Sequence, residues 1–486
     1  MKPGRRLRWL SSCALGCFAC ATPPASSGLA ALPERSEAAD RESVELTVYT
    51  SNFALVRERR HLRLHPGRVA LDYADVAAEL EPATVQLEAL DRGAALSVLE
   101  QNYRYDLLSP ASLLEKYVGR RVSLVRADER AGRDQVRAAE VLAGPNGPVL
   151  RVGGASGEVV TGLGERIVFP ELPAGLAARP TLSWLLESAL PEPRVEVSYL
   201  TRHLGWQADY VLQLAAGGTR GALQGWVTLD NQSGASFRGA KLALVAGDVQ
   251  SRAAAPLPLR LPFAVAPASG PASPLREEPL FEYHLYGLDR PVDVLDKERK
   301  QFGWLDAPEL LVERRLLMRG AELDLRRAHS EPHLDPAHVL LRLENRAALG
   351  LGVPLPKGTL RVYQSDASGA QQFLAEAAID HTPRDETLEV ELGSSLDVVA
   401  ERRQVGWQAL GACASESEWR TELRNHGAAA VEVEVRELTS LDFELLSAGP
   451  VPAAKAAGGF SFQLAVPAGG TSVLAYRVRA RWCGGG

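Results

Sequence analysis

Residues 385–392 read DETLEVEL, and this alternation decides the class of fold. Leu388, Val390 and Leu392 take every second position, with Glu389 and Glu391 between them. Side chains of an extended strand point to opposite faces in turn, so the stretch has one apolar face and one charged face. A helix would wind the glutamates into the apolar side. The same beat returns in VELTVYT from Val44, RVEVSYL from Arg194, HVLLRLEN from His338, AAVEVEVREL from Ala429 and VLAYRVRARW from Val473. Sheets with one solvated face are those of antiparallel sandwiches, so a mainly β protein built of β-sandwich domains is predicted.

Just upstream, GVPLPKGT (352–359) has the look of a phosphate-cradling loop, but its chemistry is wrong. Pro354 and Pro356 have no N–H to offer a phosphate, and Lys357 precedes Gly358 instead of following it. TLRVYQSD then alternates like a strand where a phosphate loop needs a helix. The segment reads as two strands joined by a Gly/Pro-rich connection.

Helical signals are few and short. In SPASLLEKYVG, Ser109 suits an N-cap, Pro110 the first turn and Gly119 the stop. RPTLSWLLESAL, from Arg179, predicts a second short helix. Between them RRVSLVRA, DQVRAAEVLAG, GPVLRVGG and GERIVFPEL are strands separated by Gly-rich turns. That spacing predicts a small inserted β-barrel over 107–176.

At 486 residues the chain needs several domains, and 46% hydrophobic residues suffice for real cores. A net charge of -6, with no basic run interleaved with aromatics, gives no footprint for nucleic acid. Lys2, Arg5, Arg6 and Arg8 precede the short apolar run WLSSCALGCFACA, the pattern of a secretory signal at 1–20. The run is too short to span a bilayer. A flexible tether is expected at 21–41, an N-terminal β domain at 42–106, and the first part of a sandwich at 177–252. A Pro/Ala-rich linker or loop at 253–279 then splits the body into two large parts, the second being the C-terminal sandwich part at 280–483, and the sandwich is expected to draw strands from both sides of it. Of five cysteines, Cys13, Cys17 and Cys20 fall in the signal, leaving Cys413 and Cys483 free to pair in an oxidising compartment.

The signal resembles that of bacterial lipoproteins, which implies lipidation at Cys20, with Cys17 as the alternative. The body is similar to the bacterial domain of unknown function 4139 family. The likeness is carried by LGVPLPKGTLRVYQSD, AIDHTPRDETLEVELGSSLDVVAERR, VSYLTRHLGWQADYVLQL, GWVTLDNQSGASFRGAKLALVAGDV, YTSNFALVRERR and LEQNYRYDLLSPASLLEKYVGRRV. The resemblance implies a secreted or envelope-associated β-rich protein of mucoidy-inhibitor-like type. It supplies no catalytic residues to carry over, and the coiled-coil segment of some relatives is missing here.

Three groups of residues could carry chemistry. In IDHTPRDE, Asp380, His381 and Asp385 could form an acid-oriented base, although Asp380 and Thr382 before Pro383 equally suit a turn. In HSEPHLDPAH, His329, His333 and His338 could ligate zinc, although Pro332 and Pro336 break the helix that would align them. Trp206, Tyr210, Trp226, Tyr283 and Tyr286 could stack on sugar rings or fill a core. Asn231 begins an NQS sequon, which a bacterial signal makes irrelevant.

Nothing in the sequence calls for a cofactor. The expectation is a non-enzymatic binding or structural module, lipid-anchored at the outer membrane or cell surface, or on the periplasmic side. Its partner would be an envelope protein or a polysaccharide. The alternatives are a hydrolase acting on envelope or capsular polysaccharide through paired carboxylates, and a zinc enzyme at the histidine segment.

Overall fold

The computed structural model describes residues 33–482 except 92–94, 129–132, 145–146, 162–164, 174–175, 248–274, 281–282, 320–321 and 457. Strands fill most of the described chain, with one α-helix, Pro110–Lys116. Its start is as expected: Ser109 Oγ accepts from the Ser112 N–H at 3.0 Å, and Pro110 opens the first turn. The period-2 reading also holds. Val44, Leu46 and Val48 are buried in Arg41–Tyr49, and Leu388 and Val390 in Thr387–Ala409.

The strands form sheets of four, five, thirteen and nine. The thirteen- and four-stranded sheets share the largest core, where Leu46, Val56 and Tyr199 meet Leu71, Tyr73, Leu182 and Trp184. The nine-stranded sheet curls over a second core, so that Val398, Leu423 and Val478 meet Leu316, Val433 and Phe462. Two paired strands serve both cores. His333–Glu344 and Thr387–Ala409 give Leu341, Leu343, Leu388 and Val390 to the first, and Ala337, Val398 and Ala400 to the second. The pairing register shifts between Val339 and Leu340, where Gly393 takes φ +121°, a conformation open to glycine and costly for other residues.

Several expectations need correction. The segment from Arg179 is no helix: Thr181–Ser188 is a strand between Gly67–Ala74 and Leu96–Arg104. Leu182, Trp184 and Leu186 alternate inward, and burial on both edges outweighs the helical preference of leucine and glutamate. The inserted unit is an open antiparallel sheet of five strands. Its outer strands, Glu158–Thr161 and Arg166–Val168, do not pair among the described residues, so no closed barrel is seen.

The Pro-rich stretch parts the sequence but not the sheet, whose strands come from both sides of it as expected; only the linker's last residues, from Leu275, differ in forming a strand. Residues 248–274 lie outside those described, but Leu275–Leu280 pairs with Tyr283–Leu288, which pairs with Phe237–Ala246. Both ends therefore belong to one sheet, and the chain first enters the second core after Val312, at Leu316. The expected tether falls outside the described residues up to 32, yet its last part is built into the fold. Glu34–Ser36 pairs in parallel with Gly67–Ala74. Buried Arg60 secures it, donating to the carbonyls of Ala74 at 2.9 Å and Ser36 at 3.4 Å while its other nitrogens hold Glu58 at 2.6 Å.

Cys413 is disulfide-bonded; Cys483 lies outside the described residues, as do Cys17 and Cys20. The Trp482 N–H donates to the Cys413 carbonyl at 3.1 Å, which holds the end of the last strand, Thr471–Arg481, beside this cysteine.

Candidate functional site

The IDHTPRDE segment is a turn organised from below. The Asn345 amide donates to the carbonyls of Pro383 at 2.8 Å and Val353 at 2.7 Å, and its oxygen accepts from the Gly352 N–H at 2.9 Å. Thr382 and Leu355 exchange backbone hydrogen bonds, both at 2.9 Å. His381 Nδ1 accepts the Lys357 N–H at 3.1 Å, while Asp380 and Asp385 are exposed. The GVPLPKGT connection and this turn are thus two sides of one Asn-centred joint.

The three histidines do not converge. His329 Nε2 meets the Asp324 carbonyl at 2.9 Å, His333 meets Asp335 at 2.9 Å and His338 meets Glu391 at 2.7 Å. Among the described residues no group of three or more His, Cys, Asp or Glu could hold a metal ion.

The aromatics separate into two kinds. Trp206, Tyr210 and Tyr286 are buried, and with Trp304 they form a chain of edge-on rings 6.0–6.4 Å apart. Trp206 donates to the Val245 carbonyl at 3.1 Å and Tyr210 to that of Pro356 at 2.7 Å. Burial pushes the Tyr210 hydroxyl well above its usual pKa. These three are core residues and cannot touch a surface ligand. Tyr283 is half-buried, packing near Val245 and Leu285. Trp226 is different: it is 39% exposed, on the outer face of a sheet.

That face spans five adjacent strands in the order Glu298–Leu311, Arg220–Asn231, Leu204–Leu214, Gly358–Ser365 and Gln371–Ile379. Register places Trp226 opposite Gly303 on one side and Asp209 on the other. Gly303 has no side chain to stand in the way, and a Cβ built there would lie 3.7 Å from the indole. The ring therefore rests against a bare backbone. Around it Gln207, Gln224 and Gln301 are exposed, and further along Tyr363 packs edge-on against the exposed Phe373 at 5.5 Å.

Beside the ring, on the same face, lies a polar network that the sequence did not suggest. Asp209 is buried; its Oδ2 accepts from Thr228 Oγ1 at 2.6 Å and its Oδ1 from Arg361 Nη1 at 3.2 Å. Arg361 Nε reaches Glu376 at 2.8 Å, and Gln301 Nε2 donates to Thr228 Oγ1 at 3.0 Å. At one end Arg299 pairs with Asp230 at 2.7 Å and holds its carboxyl below the usual range. Chains of this kind fix side chains in place, so the face presents its ring and amides on a rigid support. Period-2 counting could have found the pieces, since Gln207, Asp209, Gln224 and Trp226 all stand at outward positions. Their meeting depends on which strands are neighbours.

The fold and this face define a multi-sheet β protein with an aromatic-bearing, amide-rich sheet surface. No family model matches the chain, and no curated protein matches it either.

Proposed function

We propose that the chain is a non-enzymatic binding module of the bacterial cell envelope, holding polysaccharide against the Trp226 face. The observation that carries this reading is the exposed indole resting against Gly303 among glutamines on a five-stranded face. A ring of this kind offers an apolar surface to the C–H side of a sugar, and each amide offers both donors and an acceptor to hydroxyls. Both oxygens of Asp209 are taken up by Thr228 and Arg361, which favours holding over proton transfer.

The export signal, lipidation at Cys20 or Cys17 and the likeness to the domain of unknown function 4139 family belong to the same proposal. They would tether the module to the outer membrane or cell surface, facing its polysaccharide.

Isothermal titration of the mature chain with envelope polysaccharide from a bacterial host tests the idea. Saturable binding is expected, weakened at least about tenfold in Trp226→Ala with thermal stability unchanged. Equal binding by the variant overturns it, and release of new reducing ends would favour the hydrolase instead.

A further inference from the structure

A separate, concave site lies where the inserted unit joins the four-stranded sheet. The two chain segments of its neck are tied together by the Leu108 N–H to the Ala177 carbonyl and the Ala177 N–H to the Asp106 carbonyl, both at 2.9 Å. Residues 176–179 line a cleft of about 410 Å³ together with residues of the sheet. That volume lies within the common range of small-ligand pockets, and junctions between folded units are where such pockets gather.

The lining is rich in guanidinium donors: Arg35, Arg104 and Arg179 line the cleft, each backed by one carboxylate, of which Asp72 also lines it. Strand register brings two of the three together: Arg35 pairs with Asp72, Asp72 with Ser183, and Thr181 with Arg104, so these stand on the face opposite Leu71 and Trp184, and Arg179 enters two residues before Thr181. Each guanidinium is steadied from one side. Arg35 uses its Nε on Glu37 at 2.8 Å, Arg104 its Nη1 on Asp72 at 3.5 Å, and Arg179 its Nη1 on Asp75 at 2.9 Å. Asp72 is held in turn by Ser183 Oγ at 2.6 Å, and Asp75 also accepts the Ala38 N–H at 2.9 Å. A guanidinium carries five N–H donors, so each arginine keeps a large part of its fork uncommitted.

We propose that this cleft binds an oxyanion, a phosphate or a carboxylate borne by a larger ligand, through Arg35, Arg104 and Arg179. Forked guanidinium donors match the planar or tetrahedral oxygens of such groups, and the carboxylates behind them act as positioning residues. A neutral sugar would leave the arginine donors poorly matched. The site therefore selects for charge, which the Trp226 face does not, and the inference stands whether or not that face binds polysaccharide.

The test is titration of the full mature chain with inorganic phosphate and, separately, with glucuronate, using glucose and chloride at matched ionic strength as controls. Saturable binding of either anion, absent with glucose and chloride, is expected, and Arg104→Gln or Arg179→Gln should weaken it roughly tenfold each. Preference for phosphate would assign a phosphoester source, and preference for glucuronate an acidic sugar. Binding of neither anion, or equal affinity in the variants, overturns the proposal. If either variant loses its cooperative thermal transition, Arg35→Gln decides in its place, since Arg35 sits on a three-residue edge strand.

Discussion

Arg402 Nη1 lies 2.7 Å from Glu437 Oε2, and neither side chain is more than 6% exposed. Both stand at inward positions, continuing the apolar faces made by Val398 and Ala400 and by Val433 and Val435. Trp419 covers the guanidinium, with the charge 5.4 Å from the ring centre. Removing one partner leaves the other charged in a dry core, so Glu437→Ala should cost about 3–5 kcal/mol in urea unfolding. The double variant Arg402→Met/Glu437→Leu should recover most of that loss. A single variant as stable as the wild type would show that water reaches the pair.

Burial raises the Glu437 carboxyl above its ordinary pKa, with Arg402 opposing. A group raised on folding contributes its full stability below the unfolded value and loses it as pH rises through the folded one. The advantage of wild type over Glu437→Gln should therefore shrink as pH climbs above the ordinary glutamate range.

Asp366 behaves in the opposite sense. Hydrogen bonds from the Ser368 hydroxyl, the Gln372 amide and the Ser368 N–H hold its carboxyl down to about 2. Its contribution is present above the ordinary aspartate value of 3.8 and is lost as pH falls toward 2. Unfolding of Asp366→Asn should match that of the wild type at the acid end and fall behind it by pH 5.

Two strands end at a buried asparagine that ties the following turn, and a third ends one residue before such an asparagine. Asn231 donates to the carbonyls of Ala235 at 2.9 Å and Leu295 at 3.0 Å, and Asn425 to those of Ala429 at 2.8 Å and Pro467 at 3.0 Å. Asn345 does the same for the PLPKG joint. Replacing Asn345 by alanine orphans several buried backbone groups and should cost about 3 kcal/mol by denaturant titration. Asn345→Asp should fare no better, because an oxygen would then face the carbonyls. Burial also keeps Asn231 from serving as a glycosylation site.

At the Trp226 face, Gly303→Ala should fold and bind normally, since a methyl there meets the indole at ordinary contact distance. Gly303→Leu should lift the ring and weaken polysaccharide binding at least about fivefold, with stability within about 0.5 kcal/mol of wild type. Unchanged binding in that variant would move the site away from Trp226.

Alternation along the chain determined the local facts. DETLEVEL, VELTVYT and AAVEVEVREL had to be strands, because only a period of two separates their valines and leucines from their charges. The Ser109–Pro110 helix start was equally legible, because capping is chemistry between residues a turn apart. The recurring Leu-x-Asn at 229–231, 343–345 and 423–425 was also there to be read, but its meaning needs the turn carbonyls that fold around each amide.

What the tertiary structure decided is everything that depends on strand neighbours. TLSWLLES satisfies either a helix or a doubly flanked strand, and the edges of Gly67–Ala74 and Leu96–Arg104 settle it. Trp206 and Trp226 look alike in sequence, yet one faces the core and the other solvent, since 206 and 226 stand on opposite faces of paired strands. Asp209 meets Arg361, and Arg35 comes to line one cleft with Arg104 and Arg179, only through pairings between segments tens to hundreds of residues apart. Period fixes which way a side chain points, but long-range hydrogen bonding chooses what it meets there.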